Sequence, residues 1–237
     1  MIHKIKNRIH QVVDQQLLKH GRVLDVRSWP ASPMIEIDLH LPATDMRHWN
    51  EVPYIKLGVG GLHFRKYTPF GWDAETCTCS LLVDSSHEGL GSSWAGALRV
   101  GDTVEYLKTD STRQWPHGSN RIVGLGDNSS LGHLLALRQL TMRRSRLVAG
   151  DHERACGFEG AVVTDSEATA ALIGRYFMRP VVSLLREADL VSWLTDQRYS
   201  NKNTSFYLAG NDELVIRLRQ LLRGFGYTDI QAKGFWR

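Results

Sequence analysis

Arg65-Lys66-Tyr67-Thr68-Pro69 puts a planar cation, an aromatic ring and a hydroxyl into one short run. Side chains alternate along a strand, so Arg65 and Tyr67 project to the same side, with Thr68 at the strand end, its hydroxyl and backbone N–H free. A guanidinium fork suits phosphate, a phenol ring stacks on a flat partner, and Thr68 supplies a hydrogen bond. Further along, Gly89-Leu90-Gly91-Ser92-Ser93-Trp94-Ala95 is a Gly-Ser-rich turn entering a helical stretch, Ser92 to Leu98. Glycines let backbone approach phosphate, and a helix start offers unpaired N–H groups to an anion. Either run alone also fits an exposed Arg beside a half-buried Tyr, or an ordinary capped turn. The ordered pair has the parts a flavin dinucleotide needs: a cation for the pyrophosphate, a ring partner and a donor at the reactive edge.

The elements around them change character along the chain. Ile2, Ile5, Ile9, Val12, Val13 and Leu17 share one helical face, so residues 1–20 read as an amphipathic helix packed on the body or, less simply, lying on a membrane surface. Short strands follow at Val23–Val26, Met34–Leu41, Tyr54–Val59, Leu62–Thr68, Thr76–Val83 and Thr103–Leu107. Turns at Trp29-Pro30, Pro33, Gly60-Gly61, Pro69-Phe70-Gly71 and Gly101-Asp102 separate them. This is the pattern of a six-stranded antiparallel barrel over residues 21–115. Lys108–Asn120 reads as a linker. From 116 to 237, strands at Arg121–Gly126, Gly160–Thr164, Pro180–Leu185, Phe206–Leu208 and Asp229–Trp236 mix with helices at Ser130–Leu140, Glu167–Arg175 and Asp212–Arg223. That alternation implies a Rossmann-like α/β domain on a parallel sheet. Ligands of such sheets bind beyond the carboxyl ends of the strands, where Gly126-Asp127-Asn128-Ser129-Ser130 and Ala209-Gly210-Asn211-Asp212 stand. Both loops also read as plain βα turns with good N-caps, Asn128 and Ser129 in one and Asn211 and Asp212 in the other, and spacing alone favours that reading.

Composition narrows the class. The chain has 237 residues, a net charge of +4 and three cysteines, Cys77, Cys79 and Cys156. That is room for two ordinary domains, with too little cysteine for a disulfide framework and a fit to a reducing cytoplasm. No apolar run is long enough to span a bilayer, so stable membrane insertion is not expected, and neither is a secretory signal. Basic residues do not interleave with aromatics in an RNA-binding pattern, so no nucleic-acid partner is expected, and Arg143-Arg144-Ser145-Arg146 reads as a solvated loop or helix end. Cys77 and Cys79 are too few ligands for zinc or an iron–sulfur cluster, and the ten histidines lack metal spacing.

These blocks resemble the siderophore-interacting, or vibriobactin-utilisation, proteins, flavin-containing ferric-siderophore reductases of the ferredoxin-NADP-reductase superfamily. The resemblance rests on Arg65–Pro69, on Gly89–Ala95 with Val100-Gly101-Asp102 following, on Gly126–Leu131, and on Tyr207–Gly210 with the terminal Gly234-Phe235-Trp236-Arg237. The chain departs from the family at Leu90, where Pro is usual, and at Asn128 and Asn211, where acidic residues are usual. The last two bear on the electron donor more than on the flavin.

The resemblance implies FAD on the barrel, NADPH or NADH on the α/β domain, and a ferric siderophore near the flavin. Arg65 would hold the pyrophosphate. Tyr67 and Thr68 would be the residues at the reacting ring, one stacking and one hydrogen-bonding. Gly89, Gly91, Ser92, Trp94 and Ala95 would cradle phosphates and ribose, with His87 a further contact. Asp127, Ser129, Ser130, Ala209 and Gly210 would handle the nicotinamide nucleotide. Phe235 and Trp236 would line the other side of the cleft, or else be core aromatics of the last strand. Lys66, Lys202, Lys233 and Arg237 could form a basic rim for an anionic siderophore. Two alternatives stand beside this reductase: a flavoprotein taking electrons from ferredoxin, and a cofactor-free siderophore- or partner-binding module with the same fold.

Overall fold

A computed structural model describes residues 18–117, 121–149, 157–164, 166–177, 181–184 and 186–236. The expected N-terminal helix falls almost wholly outside them.

Seven strands build the first sheet: β1 (Lys19–Ser28), β2 (Met34–His40), β3 (Pro53–Gly58), β4 (Phe64–Tyr67), β5 (Phe70–Asp73), β6 (Thr78–Asp84) and β7 (Thr103–Ser111). They are antiparallel, in the order β4-β3-β7-β1-β2-β6-β5. β4 and β5 lie at opposite edges, yet only Thr68 and Pro69 separate them. Such a link spans roughly 10 Å at full stretch. The two edges must therefore meet, and the sheet curls into a barrel-like shape without a closing ladder. Helix α1 (Leu90–Ala97) follows β6.

The second sheet is parallel, in the order β10-β9-β8-β11-β12. Its strands are β8 (Arg121–Asp127), β9 (Phe158–Val163), β10 (Val181–Leu184), β11 (Thr204–Asn211) and β12 (Ile230–Trp236). A short 3-10 turn, Asn128–Ser130, leads from β8 into α2 (Leu131–Ala149); α3 (Glu167–Phe177), α4 (Glu187–Gln197) and α5 (Asp212–Gly224) complete the alternation. The runs Ile122-Val123-Gly124-Leu125 and Phe206-Tyr207-Leu208-Ala209 are buried throughout, as expected of strands covered on both faces. Val123, Leu125, Phe206 and Leu208 meet α4 and α5 residues in one core. Ile122, Phe158, Val162 and Tyr207 meet α2 and barrel residues in the other. The strand order reverses between β8 and β11, so the crevice of this sheet opens above their carboxyl ends.

Three expectations need correction, and one helix was not expected at all. The barrel sheet has seven strands, not six: Pro69-Phe70-Gly71 is not a terminating turn, because the chain bends there and pairs again as β5. The linker begins later than Lys108, since Lys108–Ser111 continue β7 against β3. The helix expected to end at Leu140 runs to Ala149, with the exposed Arg143 and Arg144 inside it. Helix α4 has no counterpart in the sequence reading, because only Leu190 and Leu194 are buried and its periodic signal is short.

Candidate active site

A cleft of about 540 Å³ opens between the two sheets, a size in the range of cofactor sites. One wall is barrel: Arg65, Lys66, Tyr67 and Thr68 from the end of β4, Leu82 to Asp84 from β6, then His87 and Gly89 to Ser92. The facing wall is Ser129, Gly132 and His133 at the start of α2, with Phe235 and Trp236 from β12. The two motifs far apart in sequence thus share one cavity with the carboxyl-end edge of the parallel sheet.

On the barrel wall, Arg65 and Tyr67 do lie on one side. A Cβ on Gly91 would sit 2.5 Å from the Tyr67 hydroxyl and 3.9 Å from Arg65 Cγ. Only glycine lets the helix start approach Tyr67 so closely. Trp94 backs the phenol, with ring centroids 5.6 Å apart and planes 23° from parallel. Burial pushes the Tyr67 hydroxyl up to about 12, against the opposing pull of Arg65, so it stays a neutral donor. Helix α1 begins with no capping side chain and no acidic residue in its first turn. Its first N–H groups therefore remain available to an anion. The Arg65 guanidinium donates to the Phe64 carbonyl at 3.0 Å and has no ion pair among the described residues. Thr68 lines the cleft with its hydroxyl unpartnered among the described residues. These residues fit a flavin dinucleotide: a free cation, an uncapped helix start and a backed aromatic ring around one cavity.

The facing wall differs in its electrostatics. The Asp127 carboxylate accepts from Ser129 N (3.0 Å), Ser129 Oγ (2.6 Å) and Asn211 N (2.7 Å). Asn211 caps α5, its Oδ1 accepting from Glu213 N at 3.0 Å and Leu214 N at 3.2 Å, and Asp212 and Glu213 stand in that helix's first turn. Both helix starts at the crevice are thus filled by the chain's own side chains. Ser130 Oγ donates to the Asp127 carbonyl at 2.7 Å, and Ser130, Ala209 and Gly210 are buried behind the lining. Trp236 Nε1 donates to Ser129 Oγ at 3.1 Å, and its ring lies 4.8 Å from that of His87. Phe235 and Trp236 are 38% and 39% exposed, which places them at the cleft and not in the core.

Of the other expected site residues, Lys66 lines the cleft, while Ala95, Lys202 and Lys233 are outside its lining. Ala95 is fully buried on the inner face of α1. The Lys66 ammonium lies 4.8 Å over the Tyr54 ring on β3. Lys202 precedes β11, at the end of the sheet opposite the cleft, about 25 Å of strand away from Asn211. Lys233 is close enough to His133 to bias its protonation. Arg237 lies outside the described residues. Sequence reasoning missed His133, whose one signal was a histidine in the first turn after the β8 loop. It is 1% exposed, and burial, helped by the Lys233 charge, holds its imidazole down at about 3. Its Nε2 hydrogen-bonds Gln114 Oε1, and its Nδ1 has no partner among the described residues.

No protein-family model matches the chain, and no curated protein matches its sequence. Solved structures do. The siderophore-interacting protein from A. baumannii superposes with a TM-score of 0.70 at 14% identity, over 93% of this chain and 90% of that one. A siderophore utilization protein from T. fusca gives 0.68 at 15% identity, over 93% and 92%. The flavohemoglobin from Malassezia yamatoensis, solved with bound FAD and heme, gives 0.68 at 13% identity, over 92% of this chain and 60% of that one. A barrel-like antiparallel sheet joined to a five-stranded parallel sheet, matched over nearly its whole length, gives this chain the fold of the siderophore-interacting proteins.

Proposed function

We propose that the chain is an FAD-dependent oxidoreductase that passes electrons from NADH or NADPH to the ferric iron of a siderophore and releases Fe(II). The observation that carries this reading is the single cleft joining Arg65, Tyr67, Thr68 and the uncapped start of α1 to the crevice edge of the parallel sheet. FAD, when bound, accepts two electrons as hydride and gives them up one at a time. One NAD(P)H and two Fe(III) then yield NAD(P)⁺, a proton and two Fe(II). Arg65 and the first α1 amides hold the pyrophosphate, with Gly91 keeping the helix start close. Tyr67, backed by Trp94, supplies the flat partner, and Thr68 hydrogen-bonds at the ring's reactive edge. Phe235 and Trp236 shield the opposite side from water, and His87 narrows the mouth. Iron is cargo: reduction weakens its bonds to hard siderophore oxygens, so no protein ligand set is required. The free thiols Cys77 and Cys79 and the cytoplasmic supply of nicotinamide agree with a cytoplasmic site of action.

The test is anaerobic. NADH or NADPH should bleach the bound flavin, and a ferric siderophore should restore its colour with two Fe(II) released per nucleotide consumed. Failure of both nucleotides would remove this donor.

One observation favours a second reading, in which reduced ferredoxin is the donor. Asp127 and Asn211 fill both helix starts where a nucleotide pyrophosphate would bind, and Asp212 and Glu213 add negative charge there. On that reading, chemically reduced ferredoxin reduces the flavin far faster than NADPH.

A further inference from the structure

His133 is the buried polar side chain at the cleft that the proposed chemistry does not use. It stands beside Gly132, where a Cβ would lie 3.1 Å from the Thr68 carbonyl. His133 and Thr68 line the same cleft, so the imidazole borders the cavity in which the ring's reactive edge is proposed to lie. The His133 Nε2 contact is to Gln114 Oε1; an amide oxygen only accepts, so this pairing calls for the proton on Nε2 and leaves Nδ1 as an acceptor. Nδ1 is buried and unpartnered among the described residues. The Phe235 ring lies 5.5 Å from the imidazole, centroid to centroid, at a 56° tilt, and is itself partly exposed on the last described strand. A buried acceptor without a donor is costly, and beside a ligand cavity a ligand donor relieves that cost. The iron-binding oxygens of a siderophore are acceptors and cannot do so. A nicotinamide carries a carboxamide –NH₂ next to the carbon that gives up hydride. With the phosphate-end slots filled by Asp127 and Asn211, recognition at the ring end gains importance.

We propose that His133 is a positioning residue for the nicotinamide: once Phe235 turns aside, its Nδ1 accepts a hydrogen bond from the carboxamide N–H and orients the ring. This rests on a nicotinamide nucleotide being the electron donor. Calorimetry on the flavin-loaded chain would compare NAD⁺ and NADP⁺ with their 3-acetylpyridine analogues, which keep the carbonyl and lack the N–H. The expected preference for the carboxamide is about ten-fold. His133→Phe should abolish it, and His133→Asn, which keeps an acceptor near the Nδ1 position, should retain it. In the unaltered protein, the His133 Nδ1 NMR signal should shift with the carboxamide nucleotide and stay in place with the analogue; that readout needs no variant. Equal affinities in the unaltered protein, or a preference that survives His133→Phe, would overturn the proposal while flavin bleaching by NAD(P)H left the proposed function intact. Loss of flavin retention in His133→Phe without change in nucleotide preference would overturn it in favour of a contact to the flavin imide. Absence of any nucleotide binding or bleaching would overturn it together with the donor assignment.

Discussion

At the residue scale, the cleft sets different demands on its two walls. Arg65 faces the cavity without an ion pair among the described residues, so its charge is available to phosphate. Arg65→Ala should weaken FAD binding about ten- to a hundred-fold, the worth of a charge-assisted hydrogen bond, as read by fluorescence quenching on FAD titration. An unchanged affinity would remove the pyrophosphate role. His133 gives a pH prediction with a definite sign. Its folded value is depressed from 6.5 to about 3, so between these limits the unfolded chain binds the extra proton. The stability it contributes is complete above about pH 6.5 and drains away as pH falls toward 3, by up to about 1.4 kcal/mol per pH unit. Urea midpoints measured from pH 7 to pH 4.5 should fall more steeply for the natural chain than for His133→Phe; parallel slopes would contradict its buried neutral state. Arg65, Tyr67 and Thr68 were legible in the sequence because their chemistry is local to one strand end. His133 was not, because its meaning comes from Gln114, Phe235 and Lys233, which only tertiary packing brings to it.

At the element scale, the start of α1 is open and the starts of α2 and α5 are closed, and on the proposed function this asymmetry would sort the ligands. Gly91→Ala would put a methyl 2.5 Å from the Tyr67 hydroxyl. The helix start and the phenol must then separate, and we expect FAD affinity to fall several-fold with little loss of stability, since the start of α1 is half-exposed. Gly210 has φ of +126° and a Cβ there would lie 2.6 Å from the Asp127 carboxylate. Gly210→Ala should cost about 1–3 kcal/mol of stability, measurable by thermal or urea unfolding; a neutral result would mean that the Asp127–Asn211 link is not rigid. The sequence marked both crevice loops as βα turns and Asn211 as a cap, since these are local signals, but the first turn is capped by Asp127 and not by Asn128 or Ser129. It could not show that Asp127 reaches across to Asn211, because that contact depends on the order in which β8 and β11 pair. The same locality explains the misread Pro69-Phe70-Gly71, where turn-type residues sit in a bent strand whose partner is remote.

At the scale of the whole molecule, the two sheets share a core. Leu131, Leu134 and Leu135 of α2 cluster with Phe70, Leu82 and Ile37 of the barrel, and Gln139 donates to the Trp72 carbonyl at 3.0 Å. Ser32 and Thr169 hydroxyls meet at 2.9 Å, and Phe70 packs edge-on against Tyr176 at 5.7 Å. Such an apolar seam makes independent unfolding costly. Calorimetry should therefore record one cooperative transition, and two separated transitions would show that the seam is weak. The two-part architecture was legible from the switch in periodicity near residue 116; the seam was not, because α2 reads only as an amphipathic helix until its second partner is known. The cleft exists because of this seam, and the central claim is that the cleft holds a flavin. The most direct test is the visible spectrum of the purified chain after mixing with FAD and removing the excess. Our account predicts oxidised-flavin bands that stay with the protein at about one FAD per chain. A colourless protein that retains none would contradict it and leave a cofactor-free binding module with the same fold.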